Sequence, residues 1–477
     1  MLDNKVCLLT AVSAPLLGAL ILPALSRVSA RLRNFSALLL AGAAFICSLY
    51  LIPQVCAGEK IVFFRQLPLG FNLSFCADGL AVFMACVSSL VSSIVVFYSF
   101  GYIRRYAHQG EYYLCVLLFL GAMMGLIFSA NLILFYFFWE LTALSSWRLI
   151  GFFRRKPYVV RADKAFLITA CGALLMLACF FMIHERCGSF ELSAVKEFFR
   201  GRPLPAAASL LILAGILSKS ALLPFQSWLP DAGVAPSPVT ALLHAAVLVK
   251  IGVYAFARLF LATAALPQQI DSGLLWLCAL SSLVSAAAAM VETDLKRIIA
   301  YSTISQIGFI FLALGLNSGA GLTAALLYIL MHGLAKAGLF LCAGIVEQNT
   351  HCKDITKLGG LLRLMPLTAA AFLFCAFSVM GVPPLGGFFS KLLVFGAVAE
   401  SGELWLGAAF LAAAVLTILY LLRLFNCVFL GEMRTPAQRE GSLSMVASVV
   451  LLSVLALFAG IFIRWPYNFA RLAAGHV

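Results

Sequence analysis

Long apolar runs recur along the whole chain, and they are the feature that most restricts its fold. Runs of about 18–25 apolar residues can cross ~30 Å of hydrocarbon as helices. Hydrophobic residues make up 63% of the 477 residues and charged residues only 11%, whereas a soluble domain has about 25% charged residues. The sequence therefore predicts an all-α, polytopic membrane protein.

The spacing of the runs predicts about fourteen transmembrane helices in a single membrane domain over residues 1–477. The helices are expected to begin near residues 5, 35, 78, 113, 131, 164, 205, 236, 272, 295, 320, 364, 403 and 443. The longest loops, 56–75 and 185–204, have room for a short hairpin or a surface helix but for no soluble domain. The first run lacks a small-residue cleavage site, so we interpret it as a transmembrane helix and not as a signal peptide.

Basic residues are concentrated in alternate loops, and this predicts the orientation. Arginines and lysines are frequent at 27–33, 154–164 and 353–363, after odd-numbered spans, and sparse after even-numbered spans. Because basic loops stay in the cytoplasm, both termini are expected on the outer side of a prokaryotic cytoplasmic (inner) membrane. The same bias explains the net charge of +14 without a nucleic-acid partner.

The chain is expected to bind no cofactor and no metal ion. Its fourteen cysteines are scattered, form no C-x-x-C pair and are interpreted as small apolar residues. The sequence has neither a phosphate-binding loop nor a dinucleotide fingerprint. Any redox chemistry would therefore reside in partner subunits, and the sequence leaves open whether the chain is part of an enzyme.

Five ionisable residues lie inside segments that otherwise look like membrane spans. They are Glu140, Lys219, Lys250, Lys336 and Lys391. A charge at mid-bilayer costs roughly 2.5–3.5 kcal/mol on insertion scales. Because such residues mark ion pathways, we interpret the five as a polar path for protons or small cations.

Glu140 is the one carboxylate that falls well inside a predicted span, and Lys219 is its expected partner. Pairing stabilises both buried charges, and burial without a partner disfavours a charged lysine. An ion pair that forms and breaks would let Lys219 hold or release a proton. The alternative is a static structural ion pair.

Two histidines share predicted spans with the lysines. His244 lies six residues before Lys250, and His332 lies one helical turn before Lys336. Histidine titrates nearest neutral pH, so we interpret both as relay groups, with hydrogen-bonded packing as the alternative. Polar side chains that could hold ordered water follow one another on the tenth span: Ser302, Thr303, Ser305 and Gln306.

Two spans are expected to be broken, the seventh and the twelfth. Pro224 follows Lys219 by five residues, and GVPPLGG at 381–387 cannot run as a continuous helix. Irregular backbone at membrane depth is tolerated where it is buried or lines a wet cavity. A five-helix unit repeated once would be inverted, with copies at about 113–262 and 272–430, and packing kinks are the alternative.

Three arginines lie toward the ends of predicted spans: Arg148, Arg258 and Arg423. We interpret all three side chains as extending to the membrane interface, so that each guanidinium reaches water. Arg148 is the deepest of the three and fits this interpretation least well.

Five long stretches together span most of residues 78–430. They are FYFFWELTALSSWRLIGF (135–152), SKSALLPFQSWLPDAGVAPSPVTALLHAAVLVKIGVYAFARL (218–259), ETDLKRIIAYSTISQIGFIFLALGL (292–316), HGLAKAGLFLCAGIV (332–346) and GVPPLGGFFSK (381–391). These stretches resemble the antiporter-like subunit family, which comprises proton-pumping membrane subunits of respiratory complex I, large subunits of Mrp-type sodium/proton antiporters, and matching subunits of membrane-bound hydrogenases.

The resemblance implies fourteen helices, inverted five-helix repeats and a central hydrophilic axis. It implies a glutamate–lysine pair at Glu140 and Lys219 and a terminal exchange site at Lys391. The connecting groups that it implies are His244, Lys250, His332 and Lys336.

The chain also departs from the family pattern. Distal-type subunits often carry an aspartate in the sixth span, where this chain reads ITACGALLM (168–176). Arg148 stands where an aromatic or aliphatic residue is usual. Relatives usually continue into a lateral helix after the fourteenth span.

The resemblance implies an ion-translocating subunit that works with other membrane subunits in the lipid bilayer. Protons are the expected ion, with sodium as an alternative. The leading assembly is a redox-driven complex of the NADH:quinone oxidoreductase or membrane-bound hydrogenase type. The alternatives are an Mrp-type sodium/proton antiporter, the membrane part of an inorganic-carbon uptake complex, and an inactive scaffold.

Overall fold

The computed structural model describes residues 3–66, 68 and 72–475, with Ala246 described by its backbone alone. The first half of this range contains the helices α1 (Asn4–Val28), α2 (Ala30–Tyr50), α3 (Ile52–Cys56), α4 (Gly79–Tyr102), α5 (Gln109–Phe128), α6 (Leu132–Ile150), α7 (Lys156–Cys187), α8 (Leu192–Phe198), α9 (Ala206–Ser220), α10 (Trp228–Asp231), α11 (Ser237–Ala241) and α12 (Leu248–Phe256). The second half contains α13 (Gln268–Val291), α14 (Leu295–Gly315), α15 (Gly319–Thr350), α16 (Pro366–Met380), α17 (Gly386–Glu400), α18 (Leu404–Phe429), α19 (Leu443–Ile461) and α20 (Arg464–Gly475).

Eleven helical segments of the described chain are long and apolar enough to cross a membrane. One of them, Ser237–Leu261, joins α11 and α12 through a π-helical turn at Leu242–Ala246 and ends in a second one at Ala257–Leu261. α9 and α16 are shorter apolar helices. The predicted all-α membrane fold is confirmed, while the count of fourteen spans stays a prediction.

Most helices begin close to the predicted positions. The largest difference is at α7, which begins at Lys156 instead of near 164, because the basic segment before the apolar run is already helical. The loop predicted at 56–75 holds an antiparallel hairpin of β1 (Ile61–Gln66) and β2 (Asn72–Ala77). The loop at 185–204 holds the short helix α8. α20 was not predicted from the sequence, and it packs on α4 and α15.

The two halves of the bundle share their local structure at the corners before α6 and α14. Asn131 and Asp294 cap these helices, and each side chain accepts two backbone N–H bonds of the first turn. The long helices that follow, α7 and α15, both have 32 residues. Two backbone hydrogen bonds then close each corner: Leu132–Phe190 and Leu192–Ala130 (both 2.9 Å) in the first, Leu295–Lys353 (2.8 Å) and Ile355–Thr293 (3.0 Å) in the second.

The two predicted breaks are present, and they also match. α9 and α16 both have 15 residues and end at a residue in the left-handed region, Ala221 (φ 54°) and Gly381 (φ 88°). In each case the backbone N–H of the following residue donates to the carbonyl five residues earlier, Leu222 to Leu217 and Val382 to Phe377. This closure ends a helix cleanly, so the chain leaves both helices in the same way.

Burial separates the central helices from those at the periphery. In Ser237–Leu261 every residue of the most apolar window is buried, and in α14 and α15 nearly all are. In the α2 segment only 28% are buried. The helices that carry Lys250, His332 and Lys336 are therefore shielded from lipid by the rest of the bundle.

Candidate ion pathway

All four lysines of the predicted path are buried. Lys219, Lys250 and Lys336 have no exposed surface, and Lys391 is 7% exposed. Glu140 is half-buried. Ionisable side chains are seldom placed so deeply without a partner, which makes the contacts of each one informative.

Glu140 and Lys219 are neighbours across α6 and α9, but they do not form a direct ion pair. Lys219 is the penultimate residue of α9, and its Nζ donates to the carbonyl of Trp139 at 3.1 Å. In the described part of the chain no carboxylate lies within 4.0 Å of this amine, although Glu140 acts on it electrostatically. Oε1 of Glu140 is buried and accepts no hydrogen bond from a described residue. The predicted switch therefore stays a prediction, in an arrangement where the pair is open.

Lys250 on α12 contacts His332 on α15, with its Nζ 2.9 Å from Nδ1. The sequence placed His332 beside Lys336 and His244 beside Lys250, whereas the packing of α12 against α15 brings Lys250 and His332 together. His244 sits in the π-helical turn, and its ring lies 4.5 Å from that of Phe340. Neither ring nitrogen of His244 has a partner among the described residues.

Lys336 on α15 bonds to α14. Its Nζ donates to Ser302 Oγ at 2.5 Å and to the Ile299 carbonyl at 3.3 Å. Of the four polar residues predicted on this span, Ser302 is the one in contact with a lysine of the path. Thr303 instead donates to the Ile299 carbonyl of its own helix, which is ordinary helix packing.

Lys391 on α17 turns back to the break that precedes it. Its Nζ donates to the carbonyl of Met380 at 3.1 Å and lies 5.7 Å from the centre of the Phe309 ring. Met380 is the last residue of α16, so its carbonyl has no helical partner. The broken span thus supplies a backbone acceptor for the Lys391 amine, and the exchange role of Lys391 stays a prediction.

The path falls into two groups. Lys336 lies within electrostatic range of both Lys250 and Lys391, so these amines and His332 form one group. Glu140 and Lys219 form the other. Where α9 meets α12, a Cβ added to Gly252 would lie 1.9 Å from Ser220 Oγ. A close helix contact therefore separates the two groups.

The interpretation of Arg258 as a snorkelling side chain is wrong. Its guanidinium binds both oxygens of Asp78, at 2.6 and 2.7 Å, and Arg258 and Asp78 are both largely buried. Burial acts to raise the pKa of Asp78, but the charge of Arg258 outweighs it and holds that pKa below its usual value. The pair ties α4 to the end of the Ser237–Leu261 segment.

Arg148 also has a partner that the sequence did not reveal. Its guanidinium binds Glu111 in the first turn of α5, and Arg154 binds the other oxygen of the same carboxylate at 2.6 Å. Arg148 and Glu111 are each about one-third exposed (31%). The unusual arginine is therefore one member of an ion triad at the end of α6.

A second ion cluster is formed by residues that the sequence placed in loops or at the ends of spans. Lys296 is 1% exposed, and its Nζ binds Glu347 at 2.5 Å. Lys353 binds the other oxygen of Glu347 at 2.9 Å. Lys296 also donates to the carbonyl of Ala235 at 3.1 Å. The cluster fastens α14 and α15 to the segment between α10 and α11.

The sequence matches the family model described as NADH:quinone oxidoreductase/Mrp antiporter, TM, over residues 129–417. The chain belongs to this family. A second model, described as the N-terminus of complex I chain 5, matches residues 66–113. The matched ranges together contain all seven residues of the predicted path.

Similar curated proteins are named Na(+)/H(+) antiporter subunit A1. Those from Staphylococcus haemolyticus and Staphylococcus aureus are both 34% identical to this chain, over 490 and 491 residues. Each match covers 95% of this chain and 60% of the relative. The chain thus spans about three-fifths of the length of these relatives.

Two solved structures share the fold. The Mrp complex from Dietzia sp. DQ12-45-1b contains a chain with a TM-score of 0.89 and 24% identity, covering 100% of this chain and 97% of that one. The membrane-bound sulfane sulfur reductase, an archaeal respiratory membrane complex, contains one with a TM-score of 0.90 and 23% identity, covering 99% and 98%. Both chains come from multi-subunit membrane complexes.

Proposed function

We propose that the chain is an ion-translocating subunit of a multi-subunit membrane complex and that it moves protons. The observation that carries the proposal is the contact of Lys250 with His332, which has the amine of one buried lysine against an imidazole nitrogen. Two such groups can share or pass a proton, whereas a structural role would favour a carboxylate partner. Lys336 and Lys391 extend this group through the second half of the bundle.

Glu140 and Lys219 are proposed as the switch of the path. In the arrangement seen, the Lys219 amine is held by the Trp139 carbonyl beside Glu140. Movement of the carboxylate toward the amine would stabilise the charged lysine, and its withdrawal would favour release of the proton. The proton would pass toward Lys250 across the close contact of α9 and α12.

Lys391 is proposed as the exchange site at the far end. Its amine donates to a backbone carbonyl and has no carboxylate within 4.0 Å in the described chain. Such a group can take up and release a proton without first breaking an ion pair. The ring nitrogens of His244 have no hydrogen-bond partner among the described residues, and His244 is proposed as a further relay group.

Two assemblies suit this role. The names of the curated relatives favour an Mrp-type sodium/proton antiporter. A chain of the archaeal respiratory membrane complex has as similar a fold as the Mrp chain, which favours a redox-driven assembly.

Purification of the chain with its native partners, followed by mass spectrometry, would identify the assembly. In inverted vesicles, sodium-dependent proton release favours antiport, and proton uptake driven by an electron donor favours redox coupling. Vesicles that show neither activity would contradict ion translocation.

The basic loops lead us to propose that both termini lie on the outer side of the cytoplasmic membrane. The two matching corners support the proposed repeat, with copies at about 113–262 and 272–430. Because each copy has an odd number of spans, the two corners would lie on opposite sides of the membrane.

A further inference from the structure

A tyrosine on α18 reaches the proton path at Lys336. The Tyr420 hydroxyl lies 2.6 Å from Ser302 Oγ, the same oxygen that receives the Lys336 amine at 2.5 Å. Tyr420, Ser302 and Lys336 are all 1% exposed or less. Three helices therefore meet at a single buried serine oxygen.

The direction of the Tyr420 hydrogen bond follows from the groups around it. Its hydroxyl is also 3.3 Å from Thr417 Oγ1, but that oxygen already accepts from Gln306 Nε2 and donates to the Ala413 carbonyl. The Gln306 amide is in turn held by the Tyr328 hydroxyl, which donates to Oε1 at 2.6 Å. The shorter contact is to Ser302, so the Tyr420 hydrogen points at the serine.

We infer that Tyr420 is a positioning residue that presents the Ser302 hydroxyl to Lys336 for proton exchange. A serine oxygen has two lone pairs and one hydrogen. With Lys336 charged, the ammonium fills one lone pair and Tyr420 the other. With Lys336 neutral, the serine hydrogen turns to the amine while Tyr420 keeps its place.

The serine therefore offers Lys336 an acceptor before the lysine loses its proton and a donor afterwards. No bond of Ser302 is broken, and the proton itself leaves to the next carrier of the path. Without the Tyr420 hydroxyl, the serine is free to turn toward backbone carbonyls of its own helix, as Thr303 does. The inference rests on the proposed role of Lys336 in proton transport.

The first half of the bundle provides a matched control. Tyr254 on α12 precedes Arg258, Leu259 and Phe260 as Tyr420 on α18 precedes Arg423, Leu424 and Phe425, and it is also buried. Its hydroxyl bonds to the carbonyl of Ile127 and accepts from Arg258 Nε at 2.9 Å. Tyr254 thus fastens helices and contacts no lysine of the path.

The test compares Tyr420→Phe with Tyr254→Phe, in inverted vesicles that hold the whole complex, with rates normalised to the amount assembled. Tyr420→Phe should lower proton transport about tenfold, as expected for the loss of one hydrogen bond from a transport step. It should also shift the pH profile of the rate. Tyr254→Phe should leave that profile unchanged, even if less complex assembles. A wild-type rate and profile for Tyr420→Phe would overturn the inference.

A double variant tests whether Tyr420 acts through Ser302. If it does, Ser302→Ala combined with Tyr420→Phe should be no slower than Ser302→Ala alone, because coupled residues are not additive. Losses that multiply would overturn the inference. Lys336→Met separates the role of Lys336 in proton transport from the positioning role of Tyr420. Wild-type transport by Lys336→Met would overturn both roles. If Lys336→Met blocks transport but Tyr420→Phe is fully active, only the role of Tyr420 is overturned.

Discussion

The two halves of the bundle share a backbone plan and place their charges differently. Aligning Leu132 with Leu295 at the matching corners puts Glu140 opposite Thr303 and Ala173 opposite Lys336. The first half has its charges on α6, on α9 before its break and, as Lys250, on α12 after its break. The second half has them on α15 and on α17 after its break.

The similar backbone of the two halves therefore does not decide where the ionisable residues lie. The corners and the breaks depend on capping residues and on helix termination, which recur in both halves. The ionisable residues do not recur at matching positions, so neither half contains all the ionisable residues of the proposed path. We therefore interpret the halves as two parts of one path, joined where Lys250 contacts His332.

The largest effect is expected in the first half, from Glu140→Gln. The change keeps the size and hydrogen bonding of the side chain but removes the charge that acts on Lys219. Proton transport in inverted vesicles should fall to near background while the complex still assembles. Glu185→Gln, at an exposed glutamate near the end of α7, is the control and should transport normally. Full activity of Glu140→Gln would contradict the switch.

The second half should respond to changes at Lys391 in a graded way. Lys391→Ala should block transport, and Lys391→Glu should retain some, because a protonated glutamic acid can still donate to the Met380 carbonyl and exchange its proton. Lys391→Arg should fail, since guanidinium does not release its proton in proteins. A packing role predicts another order, with Ala and Met tolerated and Glu worst. Transport by Lys391→Met at the wild-type rate would rule out the exchange site.

A smaller effect is expected at Arg148, which belongs to the first half alone. Since Arg148 and Glu111 are partly exposed and Arg154 also holds Glu111, Arg148→Leu should lower the free energy of unfolding by at most about 1 kcal/mol. Glu111→Gln unpairs both arginines and should lower it more. Thermal unfolding of the purified complex measures both changes. A larger loss for Arg148→Leu than for Glu111→Gln would show that Arg148 has another role.

The smallest effect on activity is expected from single cysteines introduced to show on which side of the membrane each corner lies. Ser193 and Thr356 are exposed, and each lies next to the residue that closes its corner. In a cysteine-depleted background, Ser193→Cys should react with an impermeant thiol reagent outside intact cells. Thr356→Cys should react only in inverted vesicles. Labelling of both from the same side would contradict an inverted repeat.

Much of the fold and the burial of the four lysines could be predicted from the sequence, because the signals are strong. Apolar runs mark spans, and a lysine inside such a run is rare enough to be noticed alone. The breaks at Pro224 and at 381–387 follow from what proline and glycine do to a helix. These are local properties of the chain.

The residues that were missed look ordinary in the sequence. Tyr420 is one aromatic among many in an apolar span, and its contact with Ser302 depends on how α18 packs against α14. Lys296 resembles a loop charge until α15 brings Glu347 to it. The partner of Lys250 was also not predictable, because it is set by the packing of α12 on α15 and not by spacing along either helix.

The central claim is that one path crosses from the first half to the second through Lys250 and His332. The direct test is proton transport by Lys250→Met in inverted vesicles, with rates normalised to assembled complex and Lys60→Met, at an exposed lysine beside the hairpin, as control. We predict that Lys250→Met falls to the background level of Glu140→Gln while Lys60→Met transports normally. Transport by Lys250→Met at the wild-type rate would contradict a single path through both halves.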